Sequence, residues 1–218
     1  MSCTSVSTYK AMSLTLLILL VTVAVSMIAF SNPGLQDKLM FKPYRIDGNR
    51  EWYRFVSSGL IHADWMHLLV NMFVLFSFGE IVEFYYQQTF PEKGPVLYFL
   101  LYFGGMMTAV LPTYRKHRNN PGYNGLGASG AVSAVVFAFI LFNPLERLCL
   151  YGVLCLPGVI FGVAYLVFSY YMDKRGGDRV NHDAHLWGAI YGIVFTVLLK
   201  PSLLIHFFEQ LVYFRNAI

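Results

Sequence analysis

Residues 126–142 read LGASGAVSAVVFAFILF. The run carries no charge, opens on glycine and small residues, and has Ser129 and Ser133 as its polar side chains. A helix that is apolar on every face is buried in a bundle or in a membrane. Gly130, Ala134 and Ala138 recur at every fourth position, a stripe of small residues that lets a neighbouring helix come close. The stretch 184–192, AHLWGAIYG, repeats the device with Ala184, Gly188 and Gly192. Two such stripes predict two helices packed almost backbone to backbone.

Working outward, four further apolar runs appear: Met12 to Phe30, Trp65 to Tyr86, Pro95 to Pro112 and Leu148 to Met172. The run opened by Ala184 extends to Leu199. Each approaches the roughly 20 residues that cross a bilayer as a helix. The expectation is an all-α membrane protein, a six-transmembrane-helix bundle with both termini on one side. A long first loop, Ser31 to Asp64, is rich in Trp, Tyr, Phe and Arg and suits the membrane interface. Composition agrees. The 218 residues are 56% hydrophobic, 17% aromatic and 13% charged, against about 25% charged in soluble domains. With a mean hydropathy of +0.53, disorder, collagen-like sequence, a nucleic-acid-binding arm and a water-soluble globule are excluded.

Met12 to Phe30 is longer than a signal-peptide core and no small-residue cleavage site follows at once, so it reads as a retained span. Met1 to Ala11 has one lysine and no arginine, which is poor for a mitochondrial transit peptide and favours a bacterial plasma membrane. The expected division is an extension at 1–11, native or not, a core at 12–199 and a C-terminal tail at 200–218. Cys3, Cys149 and Cys155 fit no disulfide framework and no zinc spacing, and the latter two read as small buried hydrophobes. No internal repeat is evident, so an inverted-repeat transporter gains no support. The first, third and fifth loops carry eleven Lys and Arg against five on the opposite side. Taken alone, that count places the odd loops in the cytoplasm.

Polar side chains within membrane spans are costly and point to function. Ser129 sits between Gly127 and Gly130 at a helix start, where free N–H groups and the helix dipole can stabilise an oxyanion. His185 opens the last span as Ser129 opens the fourth, 56 residues apart in sequence but at matching depth if both spans run the same way. A neutral imidazole there can take the serine proton. His67 and Asn71, at i and i+4, share a helix face and can donate hydrogen bonds to a developing negative oxygen. His62 reads as structural. The rival readings are helix packing alone for the glycine tetrad, a backbone-bonded His185, and a metal site at His62, His67, His182 and His185. The last lacks an inward carboxylate and a His-Glu-x-x-His pattern. Glu83, about 18 Å along the helix from Asn71, reads as a structural hydrogen-bonding group, and Glu80 as reaching the interface.

In this order the elements resemble the rhomboid intramembrane serine proteases. The matching pieces are Arg54, the His62/His67/Asn71 set, Glu83, Gly127-Ala128-Ser129-Gly130, and Ala184-His185 with Gly188 and Gly192. They cover about Phe41 to Leu199. The resemblance implies a six-helix rhomboid-like core, with a wet cavity open to the non-cytoplasmic side. In that core Ser129 is the nucleophile and His185 the base. Asn71 and His67 join the Ser129 N–H in the oxyanion hole, Arg54 anchors the first loop, and Glu83 braces the cytoplasmic half. It implies transmembrane protein substrates in the lipid bilayer, no nucleic acid, and no metal, nucleotide or organic cofactor. A gate is expected from span five and the Gly176-Gly177 loop. The family orientation, both termini cytoplasmic, opposes the charge count. It is preferred because five of the eleven charges lie in a first loop that folds on the membrane.

Three departures stand out. The family's Trp-Arg pair reads Tyr53-Arg54, with Trp52 one residue earlier. The aromatic residue that many members carry four positions after the nucleophile is Ser133, so either something else holds His185 or it is held more loosely, and Ser133 is a spare hydroxyl one turn from Ser129 whose own nucleophilic role needs a test. The amide three positions before the histidine is His182, a source of extra pH dependence. The alternative is an inactive relative that binds membrane helices without cutting them.

Overall fold

The structure is a computed structural model, and it describes residues 12–150, 154–177 and 180–216. The expected extension at 1–11 lies outside the described residues. Of the described residues, 76% are helical. Helix α1 (Leu14–Phe30) leads into three short helices, α2 (Pro33–Leu39), α3 (Pro43–Asn49) and α4 (Arg54–Ser57). Then come α5 (Trp65–Thr89), α6 (Gly94–Ala109), α7 (Leu111–His117) and α8 (Ser129–Phe142). A hairpin, β1 (Arg147–Leu150) and β2 (Leu154–Pro157), precedes α9 (Gly158–Arg175), α10 (His182–Leu199) and α11 (Ser202–Asn216).

The helix starts are chemically marked. Ser13, Asn32, Asp64 and Asn181 accept from the free N–H groups of α1, α2, α5 and α10, the usual task of an N-cap side chain. Proline at the first turn opens α2, α3, α6 and α7, where its missing N–H costs nothing.

Helix α8 is the axis of the bundle. Every residue from Gly130 to Leu141 is buried, as an all-round apolar sequence requires. Helices α5, α6, α9 and α10 surround it, and α11 folds back so that Gln210 Nε2 donates to the Phe142 carbonyl at 3.3 Å. The outer faces hold Phe73, Phe76, Val163, Val167 and Leu198, all exposed. Apolar side chains at such density suit contact with lipid rather than water. Among the described residues, Trp65–Thr89, Gly94–His117 (α6 and α7 taken together) and His182–Leu199 are long and apolar enough to cross a membrane. Helices α1 and α8 are apolar but shorter.

Two expectations are corrected. The apolar run from Leu148 does not begin a helix. Its first part is the antiparallel hairpin, pairing Leu148 with Leu156 and Cys149 with Cys155, and α9 starts only after Pro157. A short apolar run reads alike as strand or helix by periodicity. The cysteines, expected to be separate thiols, form a disulfide with Cα atoms 3.9 Å apart. Cross-strand register puts them face to face, which a six-residue spacing did not reveal.

The first loop is folded. The Arg54 side chain is buried, and its Nη1 donates to the carbonyls of Asp37 at 3.0 Å and Met40 at 2.6 Å. Its Nε donates to Glu51, and Lys42 pairs with Asp37. Phe41, Ile46 and Phe55 form a small core of their own under this loop.

Candidate active site

The approach to α8 is held by the first loop. Phe41 and Gly125 exchange both backbone hydrogen bonds, at 2.8 and 3.0 Å. The Gly127 N–H donates to the Ser58 carbonyl at 2.9 Å. The Ala128 N–H donates to His62 Nε2 at 3.4 Å. His62 is fully buried, and its Nδ1 lies 3.0 Å from Ser26 Oγ of α1, whose hydroxyl donates to the Leu60 carbonyl. With Nε2 accepting, Nδ1 carries the proton, so the ring is neutral. Burial lowers its pKa to about 3, consistent with that form.

This accounting leaves the start of α8 with open donors. The first N–H groups of a helix have no partner inside it, and in α8 the first inward bond is from Val132 to Ala128. The Gly127 and Ala128 donors are spent on the loop, so the Ser129 and Gly130 N–H groups remain at the site. Ser129 is half-buried and lines a small open-sided cavity of about 30 Å³, together with Ser58, Gly127, Asn181 and Ala184.

Helix α10 meets α8 through glycine. A Cβ placed on Gly188 would lie 2.2 Å from the Gly130 carbonyl oxygen, and one on Gly192 would lie 2.2 Å from that of Ala134. Larger residues on α10 would hold the backbones apart. The register sets Ala184 and Gly188 around Gly130, so His185 enters at the level of the first turn of α8. The His185 ring, half-buried, stacks on Tyr165 of α9 with centroids 6.1 Å apart and planes at 23°. Tyr165 OH lies 2.7 Å from Ser133 Oγ. His182, buried, sits edge-on to His185 at 5.7 Å.

His67 and Asn71 come from the first two turns of α5. The Asp64 carboxylate caps the His67 N–H at 2.8 Å. Gly127 has φ of 117°, and a Cβ there would lie 2.6 Å from His67 Cε1 and 2.8 Å from Nε2. The ring therefore lies flush against the residue two before Ser129, which only glycine allows. Asn71 is buried and gives one amide hydrogen to the His67 carbonyl at 2.9 Å, leaving the other available. Among the described residues no three of His, Cys, Asp and Glu converge as a metal-binding group.

Glu83 lies at the other end of α5. Its carboxylate accepts from the N–H groups of Leu14 and Thr15 at 2.9 Å each and from Thr15 Oγ1 at 2.8 Å, an anion against the positive end of α1. Sequence reasoning missed Ser26, Ser58 and Tyr165. A serine or tyrosine in an apolar run carries no spacing signal, and each acts through a partner more than 30 residues away.

A helical bundle with a serine at an inner helix start and a histidine at the same level defines a class of membrane-embedded protein. The Rhomboid domain profile matches residues 49–202, and the chain belongs to the rhomboid family. It is 29% identical over 162 residues to Rhomboid-like protein 11, chloroplastic, of Arabidopsis thaliana, covering 68% of this chain and 53% of that one. It is 29% identical over 150 residues to the putative rhomboid protease YdcA of Bacillus subtilis, covering 69% and 68%. It is 27% identical over 181 residues to the rhomboid protease GlpG of Haemophilus influenzae, covering 78% and 85%. The chain thus spans about half the length of the Arabidopsis relative and more of the two bacterial ones.

Proposed function

We propose that this chain is an intramembrane serine endopeptidase that cuts transmembrane segments of other membrane proteins, with Ser129 as nucleophile and His185 as base. The observation that carries the reading is the start of α8, where Ser129 has open backbone donors and α10 packs backbone to backbone beside it. His185 Nε2 or Nδ1 accepts the Ser129 proton as Oγ bonds to the substrate carbonyl carbon. The carbonyl oxygen takes the negative charge and is held by the Ser129 N–H, Asn71 and His67. The C–N bond then breaks, and His185 gives its proton to the leaving amine. Water attacks the acyl-enzyme with His185 again as base, and Ser129 is released. That water has to reach Ser129 through the open side of its cavity, because the rest of the bundle is dry.

In this reading α1, α5, α6, α8, α9 and α10 are the six spans, and the active site opens to the non-cytoplasmic side of a bacterial plasma membrane. Substrates carry small residues at the cut and a helix that unwinds easily. Helix α9 and the following glycines form the gate. Gly176 and Gly177, with φ of 60° and 100° and open space around them, leave that end of α9 free to swing. Ser133 is buried and its hydroxyl is engaged by Tyr165, which argues against it as the nucleophile.

The test is labelling of purified protein in detergent by a fluorescent fluorophosphonate. Loss in Ser129→Ala and His185→Ala with labelling kept in Ser133→Ala supports the protease. Equal labelling in all four proteins, or none in a folded wild type, overturns it in favour of a helix-binding protein without activity.

A further inference from the structure

Of the four helices that surround α8, α9 is the least enclosed. Gly158, Gly162 and Ser169 are buried, while Ile160, Val163, Val167, Phe168, Tyr170 and Tyr171 are exposed. Gly162 rests on Ile140 and Phe137, in the half of α8 remote from Ser129. Closer to Ser129 the contact is made by Tyr165. Its ring packs 5.6 Å from Phe137 and 6.0 Å from Phe161, and it stacks on His185 at 6.1 Å. Its hydroxyl is fixed by Ser133, one turn beyond Ser129 on the same helix. A single side chain of a loosely held helix thus touches the candidate base and is bonded to the helix of the candidate nucleophile.

We propose that Tyr165 is the positioning residue for His185, and that the Ser133–Tyr165 hydrogen bond sets its ring. The inference rests on the Ser129/His185 reading above and deepens it. An imidazole turns about two side-chain bonds, and a half-buried one is kept in one orientation by a wall on one face. The Tyr165 ring is that wall. Because the ring is rooted on α9, outward displacement of α9 withdraws that wall from His185. Seating of α9 and readiness of the dyad are thereby one event. Ser133 has the size to leave room for the ring and the hydroxyl to hold it. A larger aromatic on α8 would occupy the same space.

The experiment measures fluorophosphonate inactivation of the full chain in detergent, resolving the maximal rate kinact from the half-saturating concentration KI. The variants are Tyr165→Leu, Tyr165→Phe, Ser133→Ala and the double Tyr165→Phe/Ser133→Ala, with Ser129→Ala as reference. Tyr165→Leu is expected to lower kinact about 100-fold at unchanged KI, the scale of a catalytic group misplaced by an ångström. Tyr165→Phe restores the wall and stays within about 10-fold of wild type, the scale of one neutral hydrogen bond. Ser133→Ala matches it, and the double variant loses no more than either single one, because both remove the same bond. If Ser129→Ala is unlabelled while Tyr165→Leu keeps the wild-type kinact, the dyad stands and the positioning role falls. It also falls if Leu and Phe at 165 lose kinact equally, or if the two single losses simply add. A folded wild type that labels no more than Ser129→Ala removes the dyad itself, and with it any base to position.

Discussion

Replacing Gly188 by alanine tests the contact on which the site depends. The new Cβ would stand 2.2 Å from the Gly130 carbonyl oxygen, 2.8 Å from its carbon and 2.9 Å from its Cα. All three are backbone atoms, so no rotamer change relieves the clash. Ordinary contact begins near 3.4 Å, so α8 and α10 must part by about 1 Å at the turn that carries Ser129. Overpacking of this kind costs about 1–3 kcal/mol, which is expected as a lower melting temperature in detergent. An ångström of displacement between the proposed nucleophile and base is worth about 100-fold in rate. The expected result is therefore folded protein, moderately destabilised, with fluorophosphonate labelling slowed about 100-fold. Gly48→Ala, where nothing lies within 4 Å of the added methyl, serves as control and should leave both readouts unchanged. Wild-type labelling and melting in Gly188→Ala would refute the backbone-to-backbone register of α8 and α10.

Further outcomes follow from the same geometry. Gly127→Ala forces a side chain onto a φ of 117° and into the His67 ring, and is expected to abolish labelling at a smaller cost in thermal stability. Glu83→Gln weakens three hydrogen bonds at the start of α1; it should lower the melting temperature by the equivalent of about 2 kcal/mol while labelling per folded molecule holds. His62 is neutral in the fold and titrates near 6.5 when unfolded, so the unfolded chain binds more protons below that pH. Its contribution to stability is intact above about pH 6.5 and declines as pH falls toward 3, by roughly 2 kcal/mol at pH 5. Denaturation profiles should flatten in His62→Gln over that range, and an unchanged slope would argue against the buried neutral ring. The Cys149–Cys155 bridge reports orientation. With the site facing away from the cytoplasm the hairpin meets reductants, which keep such bonds open, and thiol alkylation of fresh membranes should modify both residues. A bridge resistant in those membranes would favour the orientation that the loop charges prefer.

Much of the bundle was legible because a membrane makes the pattern plain. The stretch 126–142 had to be enclosed, since it has no polar face, and α8 is the buried axis. Gly130, Gly188 and Gly192 announced a close crossing by spacing alone, because a four-residue repeat of small side chains has one obvious use. Ser129, His185, His67 and Asn71 could be picked out because polar groups are rare within apolar runs. The strand pair Arg147–Leu150 and Leu154–Pro157 could not, because a short apolar run has no period that separates strand from helix. Nor could the Cys149–Cys155 pairing, which depends on cross-strand register.

What only the tertiary structure decided is how the candidate residues are held. Ser133 as a sequence position signified a missing aromatic contact; in the fold it fixes Tyr165, which brings the ring from α9 instead. The hydrogen bonds of Gly127 and Ala128 to Ser58 and His62 decide which donors stay open at Ser129. These links join residues 32 to 69 positions apart. Local sequence sets which segments are apolar and where helices begin, through effects that act within a turn or two. Side chains from different helices meet only once the bundle has closed, so their partners are a property of packing and not of any one stretch.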